Sequence, residues 1–142
     1  MIGINKEKIS DEKILEIDKK LIEVAKKFRK NGKNVYFLLD NPFGEEIDPH
    51  SMLVRNWGGI SYKSQPPLFR DLMEERLQPI KSNVVNIAAI SGSNIIDPLD
   101  YLCIKSKCSA FYENGELIYK DYDHLSLYSS NSRIRYLDFI YK

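Results

Sequence analysis

A long amphipathic segment that runs straight into a short, unbroken apolar one constrains the fold of this chain more than any other feature. Between Ser10 and Asn31 the residues Ile14, Ile17, Leu21, Val24 and Phe28 recur at alternating steps of three and four, which lines them up along one side of a helix. Ser10 is the expected N-cap, and Asp11 and Glu12 fall in the first turn, where the helix dipole favours acids. Basic residues fill the last turns before Asn31-Gly32 ends the helix. Val35-Tyr36-Phe37-Leu38-Leu39 follows at once, as expected of a strand covered on both faces. A helix feeding a buried strand predicts an α/β fold with a parallel sheet, and a helix stripe packed against another element. In open parallel sheets ligands gather beyond the carboxyl ends of strands, so the loop Asp40-Asn41-Pro42-Phe43-Gly44 is a candidate contact region.

Further along, Gly44 to Pro67 shows no period and reads as a long functional or covering loop holding the sole tryptophan, Trp57. A second helix is predicted from Leu68 to about Leu77, stopping before Pro79. Val84–Ile87 and Asn94–Asp97 are two apolar candidates for a further strand, joined through Ser91-Gly92-Ser93. Asn114-Gly115 between Phe111-Tyr112 and Leu117-Ile118-Tyr119 signals a hairpin. A terminal helix begins between Ser126 and Ser132 and runs to Tyr141. With 142 residues, 43% of them hydrophobic, the chain has room for one ordinary domain spanning residues 1–142.

Several classes of function are excluded by charge and pattern. A formal charge of +1 gives no pull toward nucleic acid, and the run Lys26, Lys27, Arg29, Lys30 and Lys33 reads as the solvated side and end of a helix. The longest apolar stretches fall far short of the ~20 residues needed to cross a bilayer. The first residues lack the zones of a secretion signal, so the chain as written is expected to be cytosolic or part of a longer protein. Two cysteines, Cys103 and Cys108, have a spacing that can close a small loop in an oxidising compartment and stay reduced in the cytosol. Zinc would need two more ligands, and the only histidines, His50 and His124, lie far apart in sequence; no metal site is expected.

Chemistry concentrates in Gly115-Glu116-Leu117-Ile118-Tyr119-Lys120-Asp121-Tyr122-Asp123-His124-Leu125-Ser126. An imidazole that takes a proton from a hydroxyl needs a carboxylate on its far nitrogen, to fix the tautomer and stabilise the imidazolium. On a tight turn, a spacing of three lets Asp121 reach His124. Asp123 is the alternative partner, although adjacent side chains on an extended chain point apart. Asp-x-x-His by itself is common, and its ordinary form is a surface histidine beside an aspartate that caps a helix.

The context adds to the motif. Asp97-Pro98, Leu102-Cys103, Cys108 and then Gly115-x-Leu117-x-Tyr119-x-Asp121-x-x-His124-Leu125-Ser126 resemble the C-terminal block of the SGNH domains attached to acyltransferase family 3 membrane proteins. Upstream, the helix, the strand Val35–Leu39, Asp40-Asn41-Pro42-Phe43, Asp48-Pro49 and Arg55 sit in the family's order. The resemblance implies a partial flavodoxin-like SGNH-hydrolase fold, three-layer α/β with a parallel sheet and a C-terminal hairpin and helix. It implies that the full domain is a serine acyltransferase or esterase that O-acetylates a bacterial cell-surface polysaccharide or glycan through an acyl-serine. Asp121 would then orient His124, and His124 would serve as general base and then general acid. Asn41, Arg55 and Trp57 would face the substrate. Cys103 and Cys108 would form the family's short disulfide loop, on the extracytoplasmic or periplasmic side of a membrane. Implied partners are the acylated or acceptor saccharide, the segment that carries the nucleophile, and a membrane acyltransferase domain; no cofactor is called for.

Departures from the family pattern are equally specific. No Gly-Asp-Ser occurs in the 142 residues, and Ser91-Gly92-Ser93-Asn94, late in the chain, reads as a connection. Met52 stands where relatives often have a further cysteine. The chain therefore resembles the C-terminal part of an SGNH domain without its nucleophile block, and such a part is expected to be inactive alone. A sheet lacking its first strands would expose an edge and an apolar face, which predicts self-association or a partner segment. The alternative is a non-catalytic glycan-binding or interaction module with a degenerate SGNH fold, its loop aromatics Trp57, Tyr62 and Phe69 stacking on sugars.

Overall fold

In a computed structural model, residues 11–63, 65–132 and 134–141 are described. The elements in chain order are α1 (Asp11–Lys30), β1 (Tyr36–Leu38), α2 (Pro49–Met52), β2 (Leu53–Asn56), β3 (Gly59–Tyr62), β4 (Leu68–Phe69) and α3 (Arg70–Ser91). After these come β5 (Asn94–Ile96), α4 (Leu99–Leu102), β6 (Cys103–Ile104), β7 (Lys107–Cys108), α5 (Leu127–Ser132) and a 3-10 turn at Asp138–Tyr141. They group into two units, one of the chain up to Phe37 with Ser82–Ile95, the other of Leu38–Lys81 with the chain from Ile96.

In the first unit α1 has the expected acidic start and basic end, and closes at Gly32, whose φ of 73° suits a residue without a side chain. The expected cap, Ser10, lies outside the described residues. The buried positions are Ala25 on α1 and Ile87, Ala88 and Ser91 on α3, and Asn83 donates to Asp18 at 3.1 Å. Contact therefore centres on the Asp18–Ala25 side of α1. The stripe from Ile14 to Phe28 lies beside that contact and stays about half exposed, with Val24 at 52% and Phe28 at 53%.

Strands β1 and β5 run parallel, with Asn94 N donating to Val35 O and Leu39 N to Ile96 O, both at 2.9 Å. The expected cover on both faces is not found: Tyr36 and Phe37 are half-buried and Leu38 is exposed, because this sheet has two strands and little surface to offer them. Of the two candidate strands downstream, Asn94–Ile96 is the strand and Val84–Ile87 belongs to α3. That helix also runs through Pro79, where the sequence predicts a stop. An interior proline costs a helix about 3 kcal/mol. Here burial of Met73 and Leu77 before it and of Ile87 and Ala88 after it offsets the cost. Gly92, at φ 68°, ends the helix and Ser93 N bonds back to Ala88 O.

The second unit holds the main core, including Ile47, Met52, Leu68, Met73, Leu99, Ile118 and Tyr119. Its antiparallel sheet, in the order β4-β7-β6, places Cys108 opposite both Leu68 and Cys103, and the two cysteines form a disulfide. The stretch from Gly44 to Pro67, predicted as irregular, contains α2 and a hairpin of β2 and β3. α2 starts where Asp48 accepts from His50 N with Pro49 in the first turn, and the hairpin turns at Trp57-Gly58. Isolated bridges, Phe111 with Leu117 and Tyr119 with Leu125, replace the predicted hairpin strands around Asn114-Gly115. The terminal helix is also shorter than predicted: six residues of α5, capped by Ser126 Oγ on Ser129 N at 3.0 Å, then the separate 3-10 turn.

Replacing Cys103 and Cys108 by serine releases a loop of four intervening residues, whose closure entropy corresponds to about 2 kcal/mol. Urea unfolding of the double variant should show that loss, and an unchanged midpoint would mean the bridge contributes nothing.

Candidate functional site

Tyr119, fully buried, anchors the segment that carries the Asp-x-x-His motif. Its hydroxyl has no hydrogen-bond partner among the described residues, and burial drives its pKa well above the ordinary tyrosine value. From Tyr119 the chain leaves the core, turns through Lys120–His124 and returns at Leu125. Lys120 N donates to His124 O at 2.8 Å across the neck of this loop, and Ser126 N and Ser129 Oγ both donate to Ile118 O behind it.

On the loop, one carboxylate oxygen holds His124 twice. Asp121 Oδ1 accepts from His124 N at 3.0 Å and lies 2.9 Å from His124 Nδ1. Asp123 Oδ1 is 2.8 Å from the same nitrogen. The sequence argument that Asp123 should point away assumed an extended chain, whereas the loop is bent and both carboxylates converge. Flanked by two carboxylates, Nδ1 is the protonated nitrogen, which leaves Nε2 as the basic one. Nε2 has no partner among the described residues, and the ring is 73% exposed. The Asp121 hydrogen bond, aided by the charges of Asp121 and Asp123, raises the His124 pKa. In return, donation from the His124 ring and backbone holds Asp121 down to about 2.

His50 offers an internal contrast. Its Nδ1 is 3.1 Å from Asp48 Oδ1, but Asp48 is the cap of α2, the ordinary role of such a pair. Asp121 has no such duty, since Ser126 caps α5.

Of the other predicted site residues, Asn41 stands closest in the fold to this loop. A cavity of ≈ 340 Å³ is lined by Asp40, Asn41, Phe43, Tyr122 and Asp123, so it joins the carboxyl end of β1 to the motif. Tyr136 donates its hydroxyl to Asn41 Oδ1 at 3.3 Å, and the rings of Phe43 and Tyr122 lie 5.8 Å apart. Gly44 N donates to Tyr122 O at 3.1 Å. A side chain on Gly44, at φ 144°, would collide with Glu46 and Arg76, whose ion pair closes at 2.6 Å. That pair lowers the Glu46 pKa and raises that of Arg76. Gly44 falls in the loop that the sequence singles out, whereas Glu46 and Arg76 were missed, because thirty residues separate the pair and no local pattern reports it.

Arg55 and Trp57 lie elsewhere, on the β2–β3 hairpin, and neither lines the cavity beside the motif. No described serine or cysteine hydrogen-bonds His124. Ser91 Oγ is spent on Ile87 O at 2.8 Å in the last turn of α3, and the connection to β5 is left to Gly92 and Ser93. The ligand atoms of Asp121, Asp123 and His124 lie within 4.8 Å of one another, close enough to share a cation, although all three sit on one solvent-facing loop.

A family model described as "SGNH domain (fused to AT3 domains)" matches residues 3–134. The chain belongs to this family. No curated protein and no solved structure gives a significant match. Membership indicates an acyltransferase- or esterase-type function for the SGNH domain, in a family whose members are joined to AT3 domains.

Proton NMR of the His124 ring should give a titration midpoint above the ordinary 6.5. Asp121→Asn removes the largest cause and should bring the midpoint down, more than Asp123→Asn does. By linkage, the raised pKa stabilises the fold below the ordinary histidine value, and this is lost as pH rises through the folded midpoint. A midpoint at or below 6.5 in the unaltered chain would contradict the geometry.

Proposed function

We propose that the chain is part of an SGNH serine acyltransferase or esterase domain in which Asp121 and His124 are two members of a catalytic triad. The serine would come from a segment that these 142 residues do not include. The observation that carries this reading is a histidine held at Nδ1 by a non-capping carboxylate, with Nε2 unoccupied among the described residues. In the first half-reaction, Nε2 takes the serine proton as its oxygen attacks the acyl carbonyl. The tetrahedral intermediate collapses, Nε2 returns that proton to the leaving group, and an acyl-serine remains. A saccharide hydroxyl then gives its proton to Nε2 and attacks the ester; the serine oxygen leaves and regains a proton. Water in place of the sugar makes the same steps a hydrolysis.

Asn41, on the cavity shared with Asp123, is the substrate contact this reading keeps. The acceptor is a bacterial cell-surface polysaccharide or glycan, the setting extracytoplasmic, and the full arrangement the flavodoxin-like three-layer sheet. In support, the chain contains a parallel strand pair and a disulfide. The half-exposed α1 stripe and the narrow sheet support a covering segment, or failing that a second copy. The absence of Gly-Asp-Ser from the sequence favours the other reading, a glycan-binding module that keeps the fold without turnover.

The complete protein, with its upstream segment, separates these readings. His124→Ala should reduce ester turnover at least a thousandfold, the order of loss typical of a triad member, and leave the circular dichroism unchanged. Because the base must be neutral, turnover should rise with pH through the raised His124 midpoint. Turnover untouched by the substitution refutes the assignment, and a complete protein without any turnover supports the binding module.

A further inference from the structure

The β2–β3 hairpin has a composition and exposure that the site chemistry leaves unused. It is a two-stranded sheet by itself, and every residue of both strands is exposed. An isolated hairpin is marginal in water, and contiguous exposed apolar surface marks a contact site. At its turn stands Trp57, fully exposed, followed by Gly58 and Gly59; Ile60 beyond them is 67% exposed. From Leu53 to Lys63 there are two cations, Arg55 and Lys63, and no acid.

A second loop of the same character adjoins it. The disulfide-closed turn carries Ile104, 69% exposed, between Cys103 and Lys105, with Lys107 following, and Tyr101–Tyr112 contains no acid. Both loops meet at Phe111. Its ring packs edge-on against Tyr62 of the hairpin at 5.3 Å, and it borders one cavity with Lys63 and Lys107 and another with Ile104. Arg55, Lys63, Lys105 and Lys107 form no ion pair among the described residues. Of the acids bordering these cavities, Glu46 is paired with Arg76, and Glu113, on the cavity shared by Ile104 and Phe111, is the single negative charge set against the four cations.

We infer that the Trp57 hairpin and the Ile104 turn form a docking face for an anionic bilayer surface. Each tip sets an exposed apolar residue, Trp57 or Ile104, ahead of cations, the order in which a protein loop meets acyl chains and then headgroup phosphates. Four unpaired cations supply the charge complement to acidic lipid. A saccharide subsite would instead need a ring enclosed by hydrogen-bonding groups, and Trp57 is fully exposed, with nothing enclosing it. This inference does not depend on the assignment of Asp121 and His124.

Trp57 is the sole tryptophan, so emission under tryptophan-selective excitation, which leaves the nine tyrosines dark, reads this apex alone. Mixed phosphatidylcholine–phosphatidylglycerol vesicles should shift its emission to shorter wavelength and protect it from acrylamide, with the effect fading as salt rises. Phosphatidylcholine vesicles should leave it nearly unchanged. Arg55→Gln with Lys63→Gln should weaken binding to the mixed vesicles roughly 30-fold, from about 1 kcal/mol per cation; the salt series on the unaltered chain tests the same term without substitution. No shift with the mixed vesicles overturns the inference, as does an equal response to both vesicles. A shift produced by an acidic polysaccharide such as alginate, with vesicles inert, overturns it in favour of a glycan face.

Discussion

The peptide at Ile118 is the joint on which the candidate site rests. Its N–H bonds to Ala110 O, while its carbonyl accepts both Ser126 N and the hydroxyl of buried Ser129. One residue thus ties the segment entering the motif, the segment leaving it and the first turn of α5. With Tyr119 sunk beside it, a loop of five residues can stand in solvent without losing its shape, because the constraint lies underneath and not around it. Phe43 and Gly44 then bring the carboxyl end of β1 against the same loop.

How much of this was legible depended on whether the determining interaction was local. The helix Asp11–Lys30 declared itself by period and end charges, and the Asp121–His124 contact by a spacing that a tight turn closes. Gly32 as the end of that helix was equally readable, whereas Asn94–Ile96 was one of two strand candidates that local pattern left open. Long-range packing hid the rest. Pro79 signals a stop that burial on either side overrides. The hairpin at Leu53–Tyr62 alternates too weakly to show, since neither of its faces is buried. Asp123 was set aside on a rule for extended chains that does not hold at a bend.

Two unsatisfied surfaces of different kinds remain. The stripe on α1 is long, apolar and about half exposed, which is how a layer looks before its neighbour is added. The surface around Trp57 is narrow, aromatic and cationic, borne on the tips of two strand pairs. Under the two proposals made above, the first would take a further segment of fold and the second a bilayer surface.

The double hold of Asp121 on His124 has a consequence for what its surroundings must supply. Here a single oxygen grips both the backbone and the ring, so orientation is achieved without enclosure. A ring held in that way keeps its tautomer and bearing without neighbouring walls, so a segment that meets Nε2 need bring only its own partner atom.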